Sequence, residues 1–194
     1  MDPDSRRLQI LEEMLKLCVN QHYASISMRQ LAAACDVNMA LLYHYFASKD
    51  DLIHATLSFG LDALMSSFRN LPRDPDAPLG DADAWLRATA DAAPRVMQTV
   101  KLLNDFTSEN RNDAVAEAMI KGFYDHERGT LERAITRGIE EGRFRPVDAE
   151  RTARLASLTL DGVFFGGRAR NETDVLENIR DLREHLLDHL TPPA

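Results

Sequence analysis

The chain has 194 residues, 44% of them hydrophobic and 28% charged, the balance of a globular chain long enough to bury a sizeable core. No apolar run reaches the roughly 18 residues a membrane helix requires, and the opening MDPDSRRLQILEEMLKL interleaves acids and bases where a signal peptide would be apolar. The net charge of −8 excludes a broadly basic chain, yet residues 1–50 hold five Lys/Arg against six Asp/Glu, so most of the acidity lies beyond them.

The periodicity is helical nearly throughout. Leu8, Leu11, Leu15 and Cys18 repeat at helical spacing and predict a first helix from about Arg6 to Gln21. Ser27 is an N-cap candidate for a second helix whose apolar face is Leu31, Ala32 and Cys35. Cys18 and Cys35 lack metal-type spacing and sit at apolar positions, as buried thiols of a reducing cytoplasm do. Asp36 to Asn38 is a turn, with Asn38 placed to cap the short helix MALLYHYF. That helix is too short to stand without neighbours. Ser48 caps the next, which opens with Lys49, Asp50 and Asp51 and extends to about Asn70.

Asn70–Asp83 holds Pro72, Pro75, Pro78 and Gly80 and is expected as a loop and hinge. Helix resumes at Trp85, and Pro94 is expected to end one helix and open another. Asn112 or Asp113 caps a long segment to Gly142, with Gly122, Gly129 and Gly138 as points of weakness. Asp148 and Thr173 cap the last two helices. The fold class is all-α, with about nine helices and no sheet.

A long helix followed by two short ones across a tight turn has the arithmetic of a helix-turn-helix. In that motif the second short helix enters the major groove, and hydroxyls, amides and cations grip phosphates around it. Leu42 and Phe46, four apart, share a face that points to the core. Tyr43, His44 and Tyr45 lie around the other side, and Lys49 begins the next helix.

The stretch SMRQLAAACDVNMALLYHYFASKDDL resembles the DNA-binding segment of the TetR family of bacterial repressors. Ser27, Leu31-Ala32, Val37, Leu42-Tyr43, Phe46, Ser48-Lys49 and Leu52 fall in its register. Asp36 stands where that family usually has glycine, and Tyr45 where histidine is common. The resemblance implies a DNA-binding set of Ser27, Arg29, Asn38, Met39, Ala40, Leu41, Tyr43, His44, Tyr45 and Lys49. Met39, Ala40 and Leu41 take the base-facing positions, where apolar side chains meet thymine methyls. Tyr43, Tyr45 and Lys49 hold the backbone.

The remainder carries no nucleophile–base pair, phosphate loop or metal set, so no enzyme, cofactor or metal is expected. His185 and His189 are four apart with no third ligand nearby in sequence. Val175, Ile179, Leu182 and Leu186 follow a near-3.5 repeat, and Ala156 and Gly162 offer small surfaces. These six are expected at a homodimer interface, which the resemblance also implies. Aromatics and methionines between the two ends are ordinary core material. The resemblance implies that Phe59, Ala63, Met97, Phe106, Phe123 and Tyr124 line a cavity for a largely hydrophobic small-molecule effector. The expected organisation is a DNA-binding domain over 1–50 and an effector-binding and dimerisation domain over 51–194. The expected function is a cytoplasmic repressor that binds a palindromic DNA operator as a homodimer and leaves it when the effector binds. The alternative is an adaptor of the same fold that works through protein contacts.

Overall fold

The computed structural model describes residues 3–69, 71, 77, 79–110, 112–166 and 174–192. Eight α-helices appear among them, with no strand. They are α1 (Pro3–Asn20), α2 (Met28–Ala34), α3 (Met39–Tyr45), α4 (Lys49–Ser67), α5 (Asp81–Glu109), α6 (Ala114–Glu140), α7 (Ala149–Asp161) and α8 (Val175–Leu190). A one-turn 3-10 helix, Tyr23–Ser25, precedes α2, and a π-turn, Gly162–Gly166, follows α7.

The count falls one short of the expected nine because α5 continues through Pro94. Proline removes a single N–H from a helix ladder, and 29 residues of helix carry that loss here. The glycines of α6 do not interrupt it either. Gly138 has a packing role: the Phe144 ring sits 2.2 Å from where its Cβ would be. Residues 70, 72–76 and 78 of the expected proline loop lie outside the described residues, as does the expected cap Thr173, and α5 begins at Asp81, inside the span expected as loop. Asp174 caps α8 instead, accepting from the Glu177 amide at 2.9 Å.

Two compact units emerge. The first comprises Met1–Ala63 and Arg95–Ile120, the second Leu64–Pro94 and Lys121–Ala194. The expected boundary at residue 50 therefore falls inside the first unit, which also takes in the corner between α5 and α6.

In the first unit α1 packs on α2 and α2 on α3. Ile10, Leu11, Met14, Leu15, Leu31, Leu42, Phe46, Leu52, Ile53 and Leu57 are all fully or almost fully buried. Cys18 and Cys35 are free, buried thiols, and burial pushes the Cys18 thiol up to about 11.

The second unit is organised around Trp85, which is fully buried and stacks on Phe68 at a centroid distance of 6.2 Å. Around them pack Leu86, Leu131, Ile135, Phe144, Ala153, Ala156 and Leu160. Ile179, Leu182 and Leu186 of α8 belong to this same core and are 3–5% exposed, with Val175 packed against it. This corrects the expected dimer seam. The apolar stripe of α8, like Ala156 of α7, is spent inside its own chain. Arg183 of α8 donates to the buried Asp83 at 2.6 Å, which ties α8 to the start of α5.

Candidate nucleic-acid interface

Each short helix of the motif is started by a side chain that replaces a missing backbone partner. Ser27 Oγ accepts from the Gln30 amide at 3.1 Å and starts α2. Asn38 Oδ1 accepts from the Leu41 amide at 2.8 Å and starts α3. Ser48 Oγ accepts from the Asp51 amide at 3.1 Å and the Asp51 carboxylate accepts from the Ala47 amide at 2.9 Å, so two side chains satisfy amides where α4 opens.

Between α2 and α3 the chain reverses through Asp36, which adopts φ of 52°. The Asp36 amide donates to Ala33 and the Val37 amide to Ala32, the paired bonds of a Schellman stop, with aspartate where glycine is usual. Aspartate tolerates this left-handed geometry better than most side chains.

α3 buries Leu42 completely, and Phe46 beyond it is equally buried, with the Arg7 guanidinium 5.4 Å from its ring. Ala40, Tyr43 and His44 are exposed and follow i, i+3, i+4 spacing, so they form the outer face of α3. Met39, Leu41 and Tyr45 are half-buried flanks. The expected base-facing trio is thus split: Ala40 stands outermost, and Tyr43 and His44 share its face. Arg29 and Ser27 are exposed at the start of α2.

Lys49 is committed in part to its own chain. Its Nζ donates to the Ala24 carbonyl at 2.7 Å and lies 6.0 Å from the Tyr23 ring centre. Burial holds its pKa below the ordinary lysine value. An ammonium has three donors, so two remain for a phosphate.

Tyr23 extends this contact into the corner between α5 and α6. Its hydroxyl donates to Glu109 at 2.8 Å and accepts from the Asn110 side-chain amide at 2.8 Å. Phe106 packs between Tyr23 and His54, at 5.5 and 5.6 Å between centroids. His54 meets the Asp113 carboxylate at 2.8 Å, and Asp113 caps α6 through the Val115 and Ala116 amides. Those amides and His54 hold the Asp113 carboxyl below its usual range. No spacing in the sequence announced this corner, because its partners stand 59 to 87 residues apart.

The residues expected to line an effector cavity are divided between the two units. In the first unit Phe106 fills that corner, Phe59 carries the Arg95 guanidinium 5.6 Å from its ring, and Met97 is 51% exposed. Ala63 is half-buried. In the second unit Phe123 packs on the core, and Tyr124 donates to Asp161 at 2.8 Å. Of the six, only Tyr124 lines a described cavity, about 440 Å³ in volume, beside Arg128, Arg154 and Asp161. Behind it the buried Glu127 accepts from Ser157 at 2.6 Å, and burial pushes its carboxyl up to about 7. A second cavity of about 320 Å³ is lined by Arg69, Arg133 and Arg137 with His126 and Thr130. Sequence reasoning passed over it, although His126, Thr130, Arg133 and Arg137 repeat along one face of α6.

The exposed apolar side chains of the last two helices are Leu155 and Leu158 on α7 and Leu176 on α8. His185 and His189 stack at 6.3 Å, with His189 Nδ1 facing Arg145 at 3.1 Å. Among the described residues no group of three metal-ligating side chains occurs, and no helix is long and apolar enough to cross a membrane.

Residues 10–56 match the model of the family described as bacterial regulatory proteins, tetR family. The repressor KstR2 of Mycobacterium tuberculosis is 24% identical over 143 residues, covering 74% of this chain and 71% of that protein. Its solved structure superposes with a TM-score of 0.68 at 21% identity, over 97% of this chain and 96% of that one. A TetR transcription regulator from Haloarcula marismortui superposes with a TM-score of 0.78 at 22% identity, over 97% of this chain and all of that one.

Proposed function

We propose that this chain, a member of the tetR family of bacterial transcriptional regulators, is a ligand-responsive repressor that binds a palindromic operator as a homodimer. Membership makes it a DNA-binding regulator and places it in a family of regulators, not enzymes. Operator symmetry, dimerisation and effector response are the reading argued for here. The observation that carries it is the outer face of α3. Ala40, Tyr43 and His44 stand exposed on a helix fixed by a capping Asn38 and a buried Leu42 and Phe46. Such a face reads base edges through a methyl, a hydroxyl and an imidazole. The hydroxyls of Ser27 and Tyr45 and the cations of Arg29 and Lys49 then serve the phosphates, with Met39 and Leu41 as apolar flanks.

Exposed Leu155, Leu158 and Leu176 support a homodimer through α7 and α8, since apolar side chains gathered on two helices favour a covered surface. Two recognition helices about 34–36 Å apart would then read successive major grooves. DNA binding is assigned to residues 1–50, and effector binding and dimerisation to 51–194, in the cytoplasm. The route between them runs through the corner around Tyr23, His54 and Phe106. It grips the end of α5 and the start of α6, and both helices have their other ends in the second unit. An effector that prefers one arrangement of α5 and α6 shifts the population of the DNA-binding form.

The test is selection of bound sequences from random duplexes, followed by bandshift titration across salt. An enriched inverted repeat, with affinity falling steeply as salt rises, is the expected result. Absence of any enriched sequence, or salt-independent binding, would favour the adaptor reading instead.

A further inference from the structure

We propose that the 320 Å³ cavity along α6 is a binding site for an organic acid, a carboxylate on a compact apolar body. Its regulatory meaning rests on the effector-responsive reading above, whereas its chemistry rests on the residues alone. In a chain of net charge −8, this cavity is lined by three guanidinium groups, Arg69, Arg133 and Arg137, and one carboxylate, Asp81. Asp81 is paired with Arg137. Arg69 and Arg133 have no carboxylate partner among the described residues, so the lining keeps an excess of positive charge.

The arginine geometry is built into α6. The Thr130 hydroxyl donates to the His126 carbonyl at 2.9 Å, which leaves its oxygen free to accept from Arg133 at 3.1 Å. Gly129 makes room for this arrangement, since a Cβ there would stand 3.1 Å from an Arg133 terminal nitrogen. The guanidinium is thereby oriented before any ligand arrives. A fixed fork of parallel N–H donors matches a carboxylate.

His126 supplies a separate observation. It lines the same cavity, and its Nε2 is buried with no hydrogen-bond partner among the described residues. Buried polar atoms are nearly always paired, and in the tautomer that protonates Nε2 this one is a donor in want of an acceptor. The remaining lining is apolar: Phe68, held against Trp85, with Leu71 and Ala134. Guanidinium groups and an imidazole facing an aromatic wall suit a ligand that is anionic at one end and apolar at the other. The volume lies at the small end of ordinary ligand pockets.

The experiment is calorimetric titration of the full chain, without DNA, with octanoate, benzoate, 1-octanol and inorganic phosphate. Octanoate or benzoate is expected to bind at least tenfold more tightly than 1-octanol and than phosphate. Arg133→Gln is expected to weaken that binding at least tenfold. Arg69→Gln, at an exposed side chain that threatens folding least, is expected to weaken it severalfold, and Arg154→Gln in the other cavity to leave it unchanged. Equal binding of 1-octanol reduces the site to an apolar slot, and equal binding of phosphate reduces it to a simple anion patch; either overturns the proposal. So does failure of both acids to bind, or full affinity in both Arg133→Gln and Arg69→Gln. Operator affinity is measured separately. Acid binding that leaves it unchanged overturns the effector reading while the site stands.

Discussion

The Tyr23 hydroxyl donates to the Glu109 carboxylate at 2.8 Å, joining the 3-10 turn before α2 to the last residue of α5. Asn110 donates to the same hydroxyl from the other side, so one phenol oxygen satisfies two groups. Tyr23→Phe removes it while keeping the ring that packs on Phe106. The expected loss is about 1–2 kcal/mol, read as a lower urea midpoint at unchanged slope. If the corner also carries the effector signal, the variant keeps operator affinity but responds less to ligand in a bandshift.

Lys49→Ala is expected to weaken DNA binding for every sequence alike and to lower the salt slope by about one unit. Leu41→Ala and Tyr43→Phe should instead alter which sequences are preferred. A Lys49→Ala chain with an unchanged salt slope would show that the ammonium serves only the Ala24 carbonyl.

The two apolar faces of the last helices make opposite predictions. Leu182→Ala removes a side chain from the core around Trp85 and is expected to cost about 2–5 kcal/mol of stability, seen as a lower melting temperature with the assembly state unchanged. The double variant Leu155→Glu, Leu158→Glu should melt nearly as the parent chain does but sediment as a monomer. Dissociation caused by Leu182→Ala alone would return the dimer seam to α8.

Glu127 gives the stability a pH dependence of unusual sign for a carboxylate. Burial raises its folded pKa from 4.5 to about 7, so between those values the folded chain binds more protons than the unfolded one. Stability from this group is present below pH 4.5 and lost as pH rises through 7. Glu127→Gln keeps an acceptor for Ser157 and cannot ionise. The margin of its stability over that of the parent chain should therefore widen from pH 5 to pH 8, by up to about 3 kcal/mol, read from thermal unfolding at each pH. A constant margin would mean that the parent carboxyl titrates normally.

The turn residue Asp36 is expected to respond to glycine. At φ of 52° an L side chain carries strain that glycine lacks, offset partly by glycine's larger unfolded entropy. Asp36→Gly should stabilise by about 0.5–1 kcal/mol, and Asp36→Val should destabilise by more than that. Both are read from thermal unfolding.

The parts of the fold that were legible in sequence are those whose physics is local. Ser27, Asn38, Ser48, Asp113 and Asp148 cap helices because a short polar side chain reaches an amide two or three residues on, and that reach is visible as spacing. Leu42 and Phe46 turn inward for the same kind of reason. The stripe Ile179–Leu182–Leu186 was legible as apolar but not as to what covers it. Its cover is the core around Trp85, about a hundred residues earlier, and periodicity carries no record of a partner. The arginine cavity was missed because Arg133 and Arg137 look like a solvated face until Phe68 and Asp81 are brought beside them. Pro94 suits the first turn of a new helix as well as the interior of one that carries on, and nothing local to it marks the continuous α5.

Gly60 restricts how this sequence can change. A Cβ there would stand 2.7 Å from the Thr99 hydroxyl oxygen and 2.9 Å from its methyl carbon. Every single-base change to a glycine codon that alters the residue adds at least one carbon, so each such change at position 60 meets an occupied space. Loss of the Thr99 branch opens it first, leaving the position 99 Cβ at 3.3 Å. Thr99→Ala therefore makes room for Gly60→Ala, whereas Gly60→Ala in the parent chain forces Thr99 to shift.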